Sequence, residues 1–267
     1  MRIIRPLRRP KEKVRIWRWR AHWRWRDYTN ELLLSKDVSE ILENQKIEHS
    51  IRQAFITKVY LIILLQLSIT SCFIILSLYS PLYIQIVQNS VFLYYLFFFI
   101  AITLVIIPIC YPNLYRMVPI NYILLIAFTM CFSYDISYVT SFYSPNSVLF
   151  AVCLTFVCVI TLTLYAKYTT KDFTIYGGVL YVFLTCLIFG SFFLMFFDVK
   201  MFNFVVTMCS LVCFSGYIIY DTQLILGNRS REFSIDDYIL AAMNLYLDII
   251  NLFLDILRIS SNRNWCF

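Results

Sequence analysis

The chain has 267 residues, 60% of them hydrophobic and 18% aromatic, with a mean hydropathy of +0.71. Soluble domains run about 45–50% apolar, so this composition excludes an ordinary soluble globular protein. Five glycines and seven prolines exclude collagen-like and low-complexity sequence. The net charge of +7 sits at one end: residues 1–28 carry nine Arg and two Lys against two acids, a net +9, leaving about −2 elsewhere.

Residues 1–34 read as a basic tail without an apolar signal-peptide core, expected to be disordered. Within it VRIWRWRAHWRWR (14–26) alternates Arg with Trp. Trp favours the membrane interface and each cation contributes about 1 kcal/mol near anionic lipid, so lipid is the expected partner. Nucleic acid, which charge and stacking would also suit, is not expected. Residues 35–58 read as an amphipathic lead-in helix against the membrane, with Ile47, Ile51 and Phe55 at i+4 and Glu40, Glu43 and Lys46 polar.

Seven apolar runs then pass the ~20-residue test for a membrane-spanning helix: 59–78, 91–110, 120–139, 148–166, 176–197, 202–224 and 238–259. Short connections carry breakers such as Ser80-Pro81 and Ser144-Pro145-Asn146. Backbone groups in lipid are satisfied internally, and the alternating ten-residue segments of a barrel are missing. The expected fold is therefore all-α: a polytopic seven-helix bundle over 59–260, with a short tail at 261–267. Arg116, Lys167, Lys171, Arg229 and Arg231 fall in loops on the N-terminal side, whereas Lys200 alone marks the opposite loops. The positive-inside rule then puts the N-terminus in the cytosol. The Asn228 sequon would face the cytosol too, unglycosylated. Eight of nine cysteines lie in or at the ends of apolar runs and only two histidines exist, so a zinc site is not expected.

The seventh run carries acids. In LYLDIINLFLDILR (245–258), Asp248 and Asp255 join Asn244 and Asn251 within an arc of about 60°. A carboxylate at mid-span costs ~2.5–3.5 kcal/mol on insertion scales, so this stripe faces the bundle interior. The sixth run places Asp221 on a face with Asn203, Thr207, Ser210 and Tyr217, and the two runs form an antiparallel hairpin. Asp221 and Asp248 fall within roughly two turns of one depth. Facing acids there would share a proton and titrate as a unit, or at higher pH offer hard oxygens to Ca²⁺. A purely structural polar core is the plain alternative. Asn251 and Asp255 either extend the pair into a pathway, or Asp255 reaches the aqueous boundary beside Arg258; the boundary is preferred. Asp135 in the third run either lines the same cavity or sits at a wet loop edge. Arg116 is a topology anchor or a bridge to Asp221.

IRQAFITKVYLIILLQLSIT (51–70), VPINYILLIAFT (118–129), SGYIIYDTQLILG (215–227) and YILAAMNLYLDIINLFLDILRI (238–259) together resemble the Lifeguard, or transmembrane Bax inhibitor motif, family over residues 51–259. The resemblance implies a seven-helix fold with a pH-sensing aspartate pair, carried over to Asp221 and Asp248. It also implies a Ca²⁺ leak from internal stores, suppression of apoptosis, and an arginine latch, for which Arg116 is the nearest candidate. Two departures stand out. Phe132 replaces a third-span glutamate common in relatives, with Asp135 as its possible substitute. Asp255 stands where relatives carry an uncharged residue or histidine.

The expected function is thus a pH-sensitive Ca²⁺ leak channel of an endomembrane (ER or Golgi, with the plasma membrane as alternative), anti-apoptotic and gated by the aspartate pair. No cofactor is expected beyond Ca²⁺ and protons as transported or bound ions. The rival is a non-conducting regulator acting through apoptosis-regulatory protein partners. Receptor motifs D-R-Y and N-P-x-x-Y are missing, as is the G-x-G-D setting of an intramembrane protease, so no enzyme is expected.

Overall fold

The computed structural model describes residues 11–261 apart from 198 and 228, with side chains from residue 40 onward apart from 109, 112 and 195. The Asn228 sequon, the side chains of the Arg-Trp run, residues 1–10 and Arg263 lie outside the described residues. Eight α-helices are described, and no strand: α1 (Lys11–Tyr79), α2 (Pro81–Asn89), α3 (Val91–Cys110), α4 (Ile120–Thr140), α5 (Pro145–Tyr168), α6 (Gly177–Phe196), α7 (Lys200–Leu226) and α8 (Tyr238–Ser261). All but α2 are long and apolar enough to cross a membrane, α1 through Glu40–Tyr79.

The chain divides into two units, Met1–Ile51 and Arg52–Phe267. In the first, every side chain from 40 to 51 is exposed, Ile41, Leu42, Ile47 and Ile51 included. Two expectations are corrected here. The segment expected to be disordered to residue 34 is helical from Lys11, and the lead-in helix expected at 35–58 is no separate element. The reason is local: no Gly or Pro occurs from Lys11 to Tyr79, so nothing interrupts the helix until Ser80-Pro81.

Breakers read as loops also start helices. Ser80 Oγ accepts from the Tyr83 N–H at 3.5 Å with Pro81 in the first turn, and Ser144 accepts from Ser147 N–H at 3.3 Å ahead of Pro145. The first of these opens α2, which the sequence did not separate from the 79–90 connection. Tyr83 on α2 shares a hydrogen bond with Ser137 at 3.0 Å, and Gln88 donates to Ser141 O at 3.0 Å.

In the second unit, α1 buries Phe55, Val59, Ile63, Gln66, Thr70, Ile74 and Ser77, a stripe recurring every three or four residues. Three of them meet α4 at constant separation: Gln66 donates to Thr129 (3.1 Å), Thr70 pairs with Ser133 (2.9 Å) and Ser77 with Thr140 (3.1 Å). Each pair is 63 residues apart, so the helices run parallel in fixed register. Tyr246 of α8 joins the middle rung, its hydroxyl 2.8 Å from Thr70. Small hydroxyls and amides are the usual adhesive between helices in lipid, where apolar contact alone gives no driving force.

α8 is the core of this unit: 72% of its apolar window is buried, against 17% for α7 and 6% for α6. At one end, which we call the basic end, the connections join. Arg116 meets Asp237, and Asp172 accepts from Ser230.

Candidate functional site

The site begins with what α7 and α8 place face to face. Asp221 (4% exposed) and Asp248 (7%) are buried, and their carboxyl groups lie close enough to act on each other. A carboxylate only accepts, so a hydrogen bond between the two needs a proton on one of them. The Asp248 oxygen Oδ2 is buried without a partner. Cys213 and Tyr217 of α7 lie within electrostatic reach of Asp248.

Two turns along α8, Asp255 (4% exposed) accepts from Ser210 Oγ of α7 at 2.5 Å, with Arg258 Nη1 4.0 Å from its Oδ1. The preferred expectation that Asp255 reaches an aqueous boundary is therefore corrected: Ser210 holds it inside the α7–α8 seam. Beyond it, a cavity of about 200 Å³ opens among Tyr143, Asn203, Thr207 and Arg258 at the end opposite the basic loops. Cavity, Ser210–Asp255 and Asp221–Asp248 follow one seam. Asn244 is half-buried on this stripe, whereas Asn251 donates to Leu247 O of its own helix at 2.8 Å.

Among the described residues no three His, Cys, Asp or Glu side chains gather to hold a metal ion. Ca²⁺ takes six to eight oxygens, more than the four of one carboxylate pair. The pair alone therefore does not complete a resident Ca²⁺ site.

Arg116, the candidate latch, does not reach Asp221. Its Nε and Nη2 donate to Asp237 Oδ1 and Oδ2 at 2.7 and 2.9 Å, outside the spans, and that carboxylate holds the guanidinium pKa above its ordinary value. The arginine that does touch this end of α7 is Arg52, which nothing in the sequence singles out. Its Nη2 donates to Leu224 O at 2.6 Å, one turn from Asp221, and its Nη1 to Phe233 O at 2.8 Å. Glu232 lies 3.8 Å away. Gly227, at φ 73°, leaves room for the guanidinium: a Cβ there would lie 2.7 Å from Arg52 Nε. That glycine at the end of an apolar run was the one available signal.

Asp135 is not at a wet edge. It is 7% exposed within α4, and both its oxygens are buried without a partner.

A family model described as inhibitor of apoptosis-promoting Bax1 matches residues 52–265. The chain is similar to Protein lifeguard 3 of Homo sapiens, 32% identical over 221 residues, covering 81% of this chain and 71% of that protein. It is also similar to Protein lifeguard 4 of Mus musculus (34% over 208 residues, 78% and 84%) and to Protein LIFEGUARD 2 of Arabidopsis thaliana (33% over 215 residues, 78% and 87%).

Proposed function

The chain belongs to the Bax inhibitor and Lifeguard family, and from that premise we propose that this multi-pass membrane protein is an anti-apoptotic, proton-gated Ca²⁺ leak of an intracellular membrane. The observation that carries the reading is the buried contact between Asp221 and Asp248 on a seam of the bundle that also bears Ser210–Asp255 and an open polar cavity. With a proton between them, the two acids hold α7 to α8 and the path is shut. As pH rises and the proton leaves, two negative charges face each other in a medium of low dielectric. They repel, and at the same time become hard-oxygen ligands for a divalent cation. The basic end faces the cytosol in this reading, by the positive-inside rule.

The test is flux from liposomes holding purified protein and a Ca²⁺-sensitive dye, scanned across pH. The wild type should leak more as pH rises, and Asp248→Asn, which keeps a hydrogen-bonded neutral partner for Asp221, should flatten that dependence. Wild-type and variant liposomes that are equally tight at every pH would remove conduction from the proposal. The second reading then takes over: a non-conducting regulator that binds death-pathway proteins through the ordered surface of the 169–176 and 227–237 connections, where Arg229 donates to Thr169 O at 2.7 Å and Ser230 to Asp172 at 2.6 Å.

A further inference from the structure

Two openings meet at the end of the bundle opposite the basic loops. The cavity of about 200 Å³ has Tyr143, Asn203, Thr207, Arg258 and Ser261 in its wall. Beside it lies a larger one of about 740 Å³, walled by Ser144, Ser147 and Ser260 together with Phe142 and Phe150. Tyr143 and Ser261 line both, so the two form one continuous recess. Four segments build it: the turn after α4, the starts of α5 and α7, and the end of α8.

The chemistry of this recess is one-sided. Among the described residues Arg258 is the only charged group in either wall, and no carboxylate lines them. Its side chain is 56% exposed, and the acid within ion-pair distance is Asp255, whose Oδ1 lies 4.0 Å from Nη1. The other oxygen of Asp255 already accepts from Ser210 at 2.5 Å. At 4.0 Å the ion pair is not a hydrogen bond, so the guanidinium keeps donors for a further acceptor. Hydroxyls and an amide surround it, from Tyr143, Asn203 and Ser261. The recess also lies where spans end, α5 starting at Pro145 and α8 finishing at Ser261, which is the depth of lipid headgroups. Phe142 and Phe150, 60% and 58% exposed, offer apolar surface beside the serines.

We propose that this recess binds a phospholipid of the leaflet at this end, one whose headgroup is anionic and carries hydroxyls, as in phosphatidylinositol. The phosphate takes the Arg258 guanidinium, whose fork of donors matches it. The headgroup hydroxyls exchange hydrogen bonds with Tyr143, Asn203 and Ser261, and the acyl chains leave over Phe142 and Phe150. A choline or ethanolamine headgroup brings a cation of its own, for which these walls hold no carboxylate among the described residues. The larger cavity falls within the ~300–1,000 Å³ of small-molecule sites. This site does not depend on the acid pair or on conduction.

The experiment is native mass spectrometry of the full chain, freed of lipid in detergent and titrated with phosphatidylinositol or phosphatidylcholine of matched acyl chains. The inositol lipid should bind about tenfold more tightly, and Arg258→Gln should remove most of that preference, as expected for one charge-assisted hydrogen bond lost. Arg258→Lys should keep part of it. Arg231→Gln, at the basic end, should change nothing, which separates this site from a general attraction of cations for anionic lipid. Asn203→Leu fills the smaller cavity while keeping the arginine, so it should weaken the inositol lipid whether or not Arg258→Gln purifies. Equal binding of the two lipids, or a preference that Arg258→Gln or Asn203→Leu leaves intact, overturns the proposal. Displacement of the lipid by an equal concentration of glycerophosphoinositol, a headgroup without chains, would assign the recess to a soluble phosphate ester and overturn it too. So would binding seen only after removal of residues 262–267, which would give the recess to the chain's own C-terminus.

Discussion

Gly227 ends α7 at φ 73° and ψ −166°, a region open essentially to glycine alone. Alanine there would be strained by its own backbone, and its methyl would press on Arg52 Nε and on Glu232, both 2.7 Å from the Cβ position. Gly227→Ala should therefore destabilise the protein by about 1–3 kcal/mol, read as a lower thermal midpoint in detergent. Arg52→Ala should act on the same joint from the other side. It leaves the Leu224 and Phe233 carbonyls without their charged donor, at a cost of about 1.5–3 kcal/mol for a charged hydrogen bond lost. Arg52→Lys should recover only part of this, because an ammonium lacks the fork that reaches two carbonyls at once. Equal melting of the Ala and Lys variants with wild type would mean the clamp carries no load.

Among the elements, α8 was the most legible. Asn244, Asp248, Asn251 and Asp255 at helical spacing in an apolar run mark one inward stripe, and a membrane helix has few other ways to tolerate them. Asp221 could be matched with Asp248 because a hairpin fixes depth from the loop. Lateral pairings were not legible in the same way. Arg116 and Arg52 are both basic residues near span ends, and nothing in their local sequence says that one finds Asp237 and the other Leu224. Those partners come from how helices distant in sequence are arranged around α8. The α1–α4 ladder is of this kind too: Gln66, Thr70 and Ser77 look like unremarkable polar residues until Thr129, Ser133 and Thr140 are set opposite. The start of α2 at Ser80-Pro81 was read as a break because a proline stops one helix and begins another equally well. The ladder gives its own prediction. Tyr246→Phe removes the hydroxyl that bonds Thr70. It should cost about 0.6 kcal/mol, the usual worth of an interhelical hydrogen bond in membranes, measured by reversible unfolding in mixed micelles. Thr70→Val removes the bond to Ser133 as well and should cost about twice as much, and the double variant less than the sum.

For the molecule as a whole, the basic end is held by links between connections. Asp172 accepts from the Thr174 and Ser230 hydroxyls, each at 2.6 Å, and from both backbone N–H groups. These bonds hold its pKa far below the usual carboxylate range. The sign follows from linkage: the stabilisation is fully present above the ordinary value, about 3.9, and is lost only as pH falls through the much lower folded value. Any change of flux between about pH 5 and 8 therefore does not arise at Asp172. Asp172→Ala should free the 227–237 connection at all these values, with trypsin cutting after Arg229 and Arg231 several-fold faster and no new pH dependence. A pH-dependent cutting rate in the wild type over that range would contradict this.

The helix that forms the core is also the last of the described helices to leave the ribosome. Until α8 is made, the six earlier spans have no common centre, and the α8 partners of Asp221 and Thr70 do not exist. Earlier spans must consequently wait in the bilayer as a loose set, with their polar faces shielded by each other, by lipid headgroups or by an insertion factor. Completion of the core is then a late event, and a chain cut short before residue 238 would lose the centre that the other spans pack around along with its final helix.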